Sequence, residues 1–170
     1  MPGPHDPQSI ERITHEWGGQ DDLWVFGYAS LIWRPDMEVA ERRLARVHGW
    51  HRALKMWSRV NRGTPERPGL VFALLAGGSC QGVALRVPAQ HVPQALQSLW
   101  AREMPSKVYL PRWVQCQTPQ GVVRALTFIL PRTHPSYTGD LSEAQYRAIF
   151  ADRDRKSTRL NSSHRCISYA

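Results

Sequence analysis

Apolar and polar positions divide the chain into short segments of two periods. Leu23-Trp24-Val25-Phe26-Gly27-Tyr28 is an unbroken β-branched and aromatic run between Asp21-Asp22 and Ala29-Ser30, the pattern of a buried strand. Residues 44–57 alternate around Gly49, which predicts one long bent strand or two strands meeting at that glycine. Residues 61–69 hold two prolines and two glycines and read as a loop. Two apolar runs, 69–75 and 81–87, flank Ala76-Gly77-Gly78-Ser79-Cys80 and predict a hairpin turning on glycines of positive φ. The period then changes. Val92, Leu96, Leu99 and Glu103 follow at steps of four, three and four, one face of a helix over 89–104 with Pro93 in its first turn and Pro105 at its end. Residues 108–117 and 122–130 predict a second hairpin around Thr118-Pro119-Gln120-Gly121. Residues 142–150 open another helix, with Ser142 or Asp140 as its cap. Residues 10–17 are amphipathic and suit a short helix inside a Pro-, Gly- and His-rich start, 1–20, which reads as a partly ordered extension.

Composition narrows the class. A chain of 170 residues, 42% hydrophobic and 21% charged, is of a size for one compact domain with a core, and is neither collagen-like nor wholly disordered. No apolar run approaches the length of a membrane span or of a signal-peptide core, so the expectation is a cytoplasmic protein without membrane contact. Cys80, Cys116 and Cys166 are an odd set, 36 and 50 residues apart, which argues against a disulfide framework or a cysteine zinc site. The net charge of +8 invites a nucleic-acid reading until it is located. Half of it sits in residues 155–170, and arginines elsewhere are interleaved with acids and apolar residues, as in Glu41-Arg42-Arg43-Leu44-Ala45-Arg46. No nucleic-acid partner is expected. Residues 155–170 also lose both periods and resemble vector- or adapter-derived sequence, so they read as a non-native tail.

Two features carry candidate chemistry. Glu103 shares the inward stripe of Val92, Leu96 and Leu99, and a carboxylate turned into a domain has a raised pKa and suits a general base. The alternative is an acid at a fraying helix end that reaches water or pairs with Arg102, Lys107 or Arg112. The second feature is the strand-to-loop segment Phe26-Gly27-Tyr28-Ala29-Ser30-Leu31-Ile32-Trp33, whose small residues allow a sharp turn presenting N–H groups to a ligand. Ser30 lacks the G-x-S-x-G frame of a serine hydrolase and reads as a turn hydroxyl. His48, His51, His91 and His134 have no mutual ligand spacing, so no metal is expected, and the tryptophans read as core.

Five blocks together carry a resemblance: VFGYASLIW, SRVNRGTPERPGLVFAL, GGSCQGVALRV, LWAREM followed by VYLPRWV, and THPSYTGDLS. In this order the chain resembles the ChaC family of γ-glutamylcyclotransferases over about residues 23–150. The resemblance implies an enzyme that converts glutathione to 5-oxoproline and Cys-Gly, with other γ-glutamyl compounds left open as substrates and with no metal or cofactor. It implies that Tyr28, Ala29, Ser30 and Leu31 form the loop that cradles the γ-glutamyl group, that Glu103 is the catalytic acid, and that Tyr137 lies where the family places an aromatic hydroxyl. Tyr137 as a packing residue is the alternative. Arg59 and Arg62, around the Asn61 loop, could pair with a substrate carboxylate or be surface charges.

The expected fold is α+β: a small, mostly antiparallel barrel of about six strands flanked by helices, spanning residues 21–154 and cut short at its C-terminus. Ala29 stands where the family loop has glycine. If that position needs positive φ, alanine strains the loop by roughly 1–2 kcal/mol. That strain, with the missing C-terminal region, motivates the alternative of a non-catalytic γ-glutamyl-binding or regulatory module. Nothing in the residues speaks to oligomeric state.

Overall fold

The computed structural model describes residues 8–58, 68–104 and 108–157, with side chains to 151. Helix α1 (Ile10–Trp17) is capped by Ser9, whose hydroxyl accepts from the Glu11 and Arg12 amides, and ends on Gly18 at φ 90°. Strand β1 (Leu23–Gly27) runs into the single turn α2 (Ser30–Trp33). Two long strands, β2 (Glu41–Ser58) and β3 (Gly69–Val87), precede a short 3₁₀ turn and helix α3 (Val92–Glu103). The hairpin β4 (Leu110–Thr118) and β5 (Gly121–Ile129) and helix α4 (Glu143–Ser157) complete the order.

The strands close a barrel in the order β1-β3-β2-β4-β5. All neighbours are antiparallel except β1 and β5, which run parallel through Trp24–Ala125 and Val25–Leu126. Five strands stand where about six were expected, and the anticipated hairpin at residues 76–80 does not form. The cause is local. Gly49 (φ 88°) lies opposite Gly77 (φ 104°) and Gly78 (φ 70°), between the pairs His48–Ser79 and Trp50–Ala76. The positive-φ glycines make a bulge that bends both strands, and β3 continues along β2 on either side instead of reversing. Most of the predicted loop at 61–69, with Arg59 and Arg62, lies outside the described residues, as do residues 158–170 of the tail.

Helix α3 lies against one wall of the barrel. Its buried residues Val92, Ala95, Leu96 and Leu99 share a cluster with Val25, Leu126, Phe128 and Ile13. Each such aliphatic chain contributes roughly 1.5–3 kcal/mol by leaving water. Trp100 meets Phe128 edge to face at 5.4 Å, which fixes the rotation of α3. Ile13 is wholly buried, so α1, the helix expected over residues 10–17, belongs to this packing. A second cluster, with Phe26, Tyr28, Val47, Leu74, Cys80 and Cys116, fills the barrel. No helix among the described residues is long and apolar enough to cross a membrane.

Candidate active site

Packing of α3 determines where its last residue points. With Val92, Leu96 and Leu99 inward, the same stripe carries Glu103 to the wall, and its side chain is only 14% exposed. Burial raises its carboxyl above the usual glutamate range, and the Arg102 charge opposes that rise. The Arg102 guanidinium Nε lies 3.4 Å from Glu103 Oε1, while its Nη1 donates to the Arg34 carbonyl and, at 2.8 Å, to Asp36 Oδ2. Glu103 thus faces a cation that is shared with a second acid, and it keeps a raised pKa.

The turn after β1 is built by close backbone approach. A Cβ on Gly27 would lie 3.2 Å from the Leu31 Cβ, and one on Gly82 would lie 2.4 Å from the Gly27 carbonyl oxygen. These two glycines bring the end of β1 onto both α2 and β3. The left-handed conformation that would strain alanine is not adopted at Ala29, whose φ is −148° and ψ −115°. The first intrahelical bonds run from the Ile32 amide to the Ala29 carbonyl and from the Arg34 amide to the Ser30 carbonyl. The Ser30 and Leu31 amides precede them and lack an intrahelical acceptor. Ser30 is exposed, whereas the Leu31 side chain is buried in the core, so Leu31 offers the site its backbone.

Tyr28 is buried, and its hydroxyl donates to the Phe128 carbonyl at 2.9 Å. Burial pushes its pKa well up, with further increments from Tyr109, Glu103 and Cys80. Tyr109 is likewise raised by burial and by Glu103, with Arg102 opposing. The Glu103 charge therefore acts on both buried phenols, Tyr28 and Tyr109. Tyr137 is joined to β2 by a bridge to Met56 and packs against the same cluster as Tyr109.

Sequence reasoning singled out Glu103 and the 28–31 turn but passed over Tyr109 and Arg52. Tyr109 sits in the quoted block VYLPRWV, six residues past Glu103, where the chain turns from α3 into β4. Arg52 donates from Nη1 to the Tyr28 carbonyl at 2.7 Å across 24 residues of sequence, a contact that no local pattern encodes. No three His, Cys, Asp or Glu residues gather into a metal-ligand group among the described residues. The arrangement is a desolvated carboxylate able to take up and return a proton, on a helix that packs with Leu31 of the turn whose Ser30 and Leu31 amides lack an intrahelical acceptor.

The chain is similar to known proteins. The glutathione-specific γ-glutamylcyclotransferase of Escherichia coli (strain K12) is 42% identical over 119 residues, 69% of this chain and 52% of that protein. The human glutathione-specific γ-glutamylcyclotransferase 1 is 31% identical over 147 residues, 84% of this chain and 66% of that protein. This chain thus spans about half the length of the bacterial relative and about two thirds of the human one. The fold is that of the yeast γ-glutamyl cyclotransferase specific to glutathione, whose crystal structure superposes with a TM-score of 0.70 at 20% identity over 78% of this chain and 79% of that one. The family model of the ChaC-like proteins matches residues 23–158, from the first residue of β1 through α4, and with that span the chain belongs to the ChaC-like family.

Proposed function

We propose that the protein is a γ-glutamylcyclotransferase that converts glutathione to 5-oxoproline and Cys-Gly, with Glu103 as its general acid and base. The observation that carries this reading is the buried Glu103 carboxylate, raised in pKa by burial, whose charge acts on the Tyr28 phenol and whose neighbour Arg102 donates to the Arg34 carbonyl at the end of α2. The substrate's own α-amine attacks its γ-carbonyl. The new N–C bond closes a five-membered ring, and the tethered nucleophile reacts at high effective concentration. Glu103 accepts a proton from the attacking nitrogen and delivers it to the leaving amide nitrogen as that C–N bond breaks. A raised pKa suits both transfers near neutral pH. The Ser30 and Leu31 amides support the developing oxyanion, each good donor contributing about 3–4 kcal/mol.

Tyr28 and Ala29 shape the cradle through the backbone, Tyr137 contributes to its far wall, and Arg59 and Arg62 are proposed partners for a substrate carboxylate. The reaction needs neither metal nor cofactor in this scheme, and a small molecule is the proposed partner. The cytoplasm is the proposed compartment, in keeping with the unpaired buried thiols Cys80 and Cys116. The test is direct: purified chain incubated with glutathione releases 5-oxoproline and Cys-Gly in equal amounts. A protein that binds glutathione stoichiometrically without releasing either product would instead be a binding module.

A further inference from the structure

Six Lys or Arg side chains with described surroundings are half-buried: Arg12, Arg43, Arg52, Lys55, Arg86 and Arg102. Five have a carboxylate at ion-pair distance. Arg12 pairs with Glu16, Arg43 with Glu41, Lys55 with Asp140, Arg86 with Asp22 and Glu41, and Arg102 with Asp36 and Glu103. Arg52 has none among the described residues. Along the chain between Glu41 and Asp140 there are fourteen Lys and Arg against two acids, Glu66 and Glu103. Glu66 lies outside the described residues. A half-buried guanidinium with no counter-charge bears a desolvation cost that an anionic ligand removes.

Geometry says where such a ligand would sit. Arg52 Nη1 holds the Tyr28 carbonyl at 2.7 Å, and the guanidinium carbon lies 5.9 Å from the centre of the Phe72 ring. The planar fork has five N–H donors, and the Tyr28 carbonyl engages one end of it, leaving the rest to receive a carboxylate. Arg52 is therefore fixed to the turn at Tyr28–Leu31, with Glu103 on the α3 side of the same turn.

We propose that Arg52 binds the α-carboxylate of the γ-glutamyl group while its contact to Tyr28 holds the turn in register. This inference rests on the cyclotransferase reading and assigns the α-carboxylate to Arg52, leaving Arg59 and Arg62 for the glycyl carboxylate. The α-carboxylate and the attacking amine share one carbon, so fixing the first on the β2 side aims the second at the γ-carbonyl and at Glu103. The glycyl carboxylate belongs to the leaving group and extends away from the turn.

Two ligands and two variants test it. Dissociation constants are measured calorimetrically for glutathione and for its glycyl ethyl ester, on a Glu103→Gln background that binds without turnover, with and without Arg52→Gln. Arg52→Gln is expected to weaken both ligands alike, by about tenfold to a hundredfold, the loss of one charge-assisted bidentate contact. On the active background, Arg52→Lys restores part of kcat/KM for both ligands, because it keeps the charge and loses the fork. Affinities unchanged within about twofold overturn the proposal. A loss confined to glutathione, with the ester unaffected, also overturns it, because the glycyl carboxylate would then be the group held. Should Arg52→Gln fail to fold, Arg52→Lys carries the same comparison, and full affinity for both ligands refutes the assignment. A wild-type chain that binds both ligands without turnover removes the cyclotransferase reading alone, since the Arg52 comparison reads binding. Normal turnover by Arg52→Gln removes the Arg52 assignment alone.

Discussion

Gly82 offers the sharpest structural perturbation of the site, because it lies on β3 and touches no substrate in any version of the scheme. A methyl group there would stand 2.4 Å from the Gly27 carbonyl oxygen and 2.8 Å from the tip of the Phe26 ring. Reaching even 3.0 Å, below which real Cβ atoms essentially never come, requires the backbone of β1 or β3 to retreat by about 0.6 Å. Phe26 is wholly buried in the barrel cluster, so its ring has little room to yield. Overpacking of this kind typically costs 1–3 kcal/mol, which outweighs the roughly 0.5–1 kcal/mol that alanine gains over glycine in a strand and lowers the melting temperature by up to about 10 °C. The displaced Gly27 carries Tyr28 and the Ser30 and Leu31 amides with it. A misplacement approaching 1 Å can reduce turnover about a hundredfold. Thermal unfolding followed by circular dichroism, together with kcat/KM for glutathione, reads both effects on Gly82→Ala. Unaltered melting and unaltered kcat/KM together would refute the reasoning that this close approach shapes the turn.

Three further outcomes are expected. Arg102→Met removes the cation that opposes the raised pKa of Glu103, so the acid limb of kcat/KM should move to higher pH; a limb that stays or moves down contradicts the electrostatic account. Glu103→Gln should gain stability relative to wild type as pH rises. The folded carboxyl holds its proton above the unfolded value of 4.5, so wild type loses stability on passing from that value up through the folded pKa, and urea unfolding at pH 4 and pH 8 measures the difference. Ser9→Ala should destabilise the protein by about 0.5–2 kcal/mol through the lost cap of α1, as read by denaturant midpoint, without a proportionate change in turnover.

Elements whose signal is local were legible in the sequence. The phase of Val92, Leu96, Leu99 and Glu103 placed both α3 and the inward acid, and the two-residue turn at Pro119-Gln120 joins β4 to β5 as its flanking pattern suggested. Local signals failed where pairing with distant residues decides the outcome. Gly77-Gly78 has the composition of a reversal, yet Gly49 on β2 lies opposite and the pair becomes a bulge inside one 19-residue strand. The site divides in the same way. Glu103 and the 28–31 turn follow from helix phase and from the end of a strand. Arg52 reaches Tyr28, and Tyr109 reaches the surroundings of Glu103, only once the barrel has closed. The concern over Ala29 came from family pattern alone, and the backbone angle at that position removes it.

The central claim is that one buried carboxylate moves the proton of an intramolecular ring closure. The measurement closest to it is 5-oxoproline release from glutathione by wild type and by Glu103→Gln, with ligand affinity and melting temperature recorded on the same preparations. The account predicts steady release by wild type, and a loss of at least a hundredfold in kcat for the variant, in line with the usual worth of a general base. Binding should persist in the variant, and its fold should be intact. Release by Glu103→Gln at a rate near that of wild type would contradict the account.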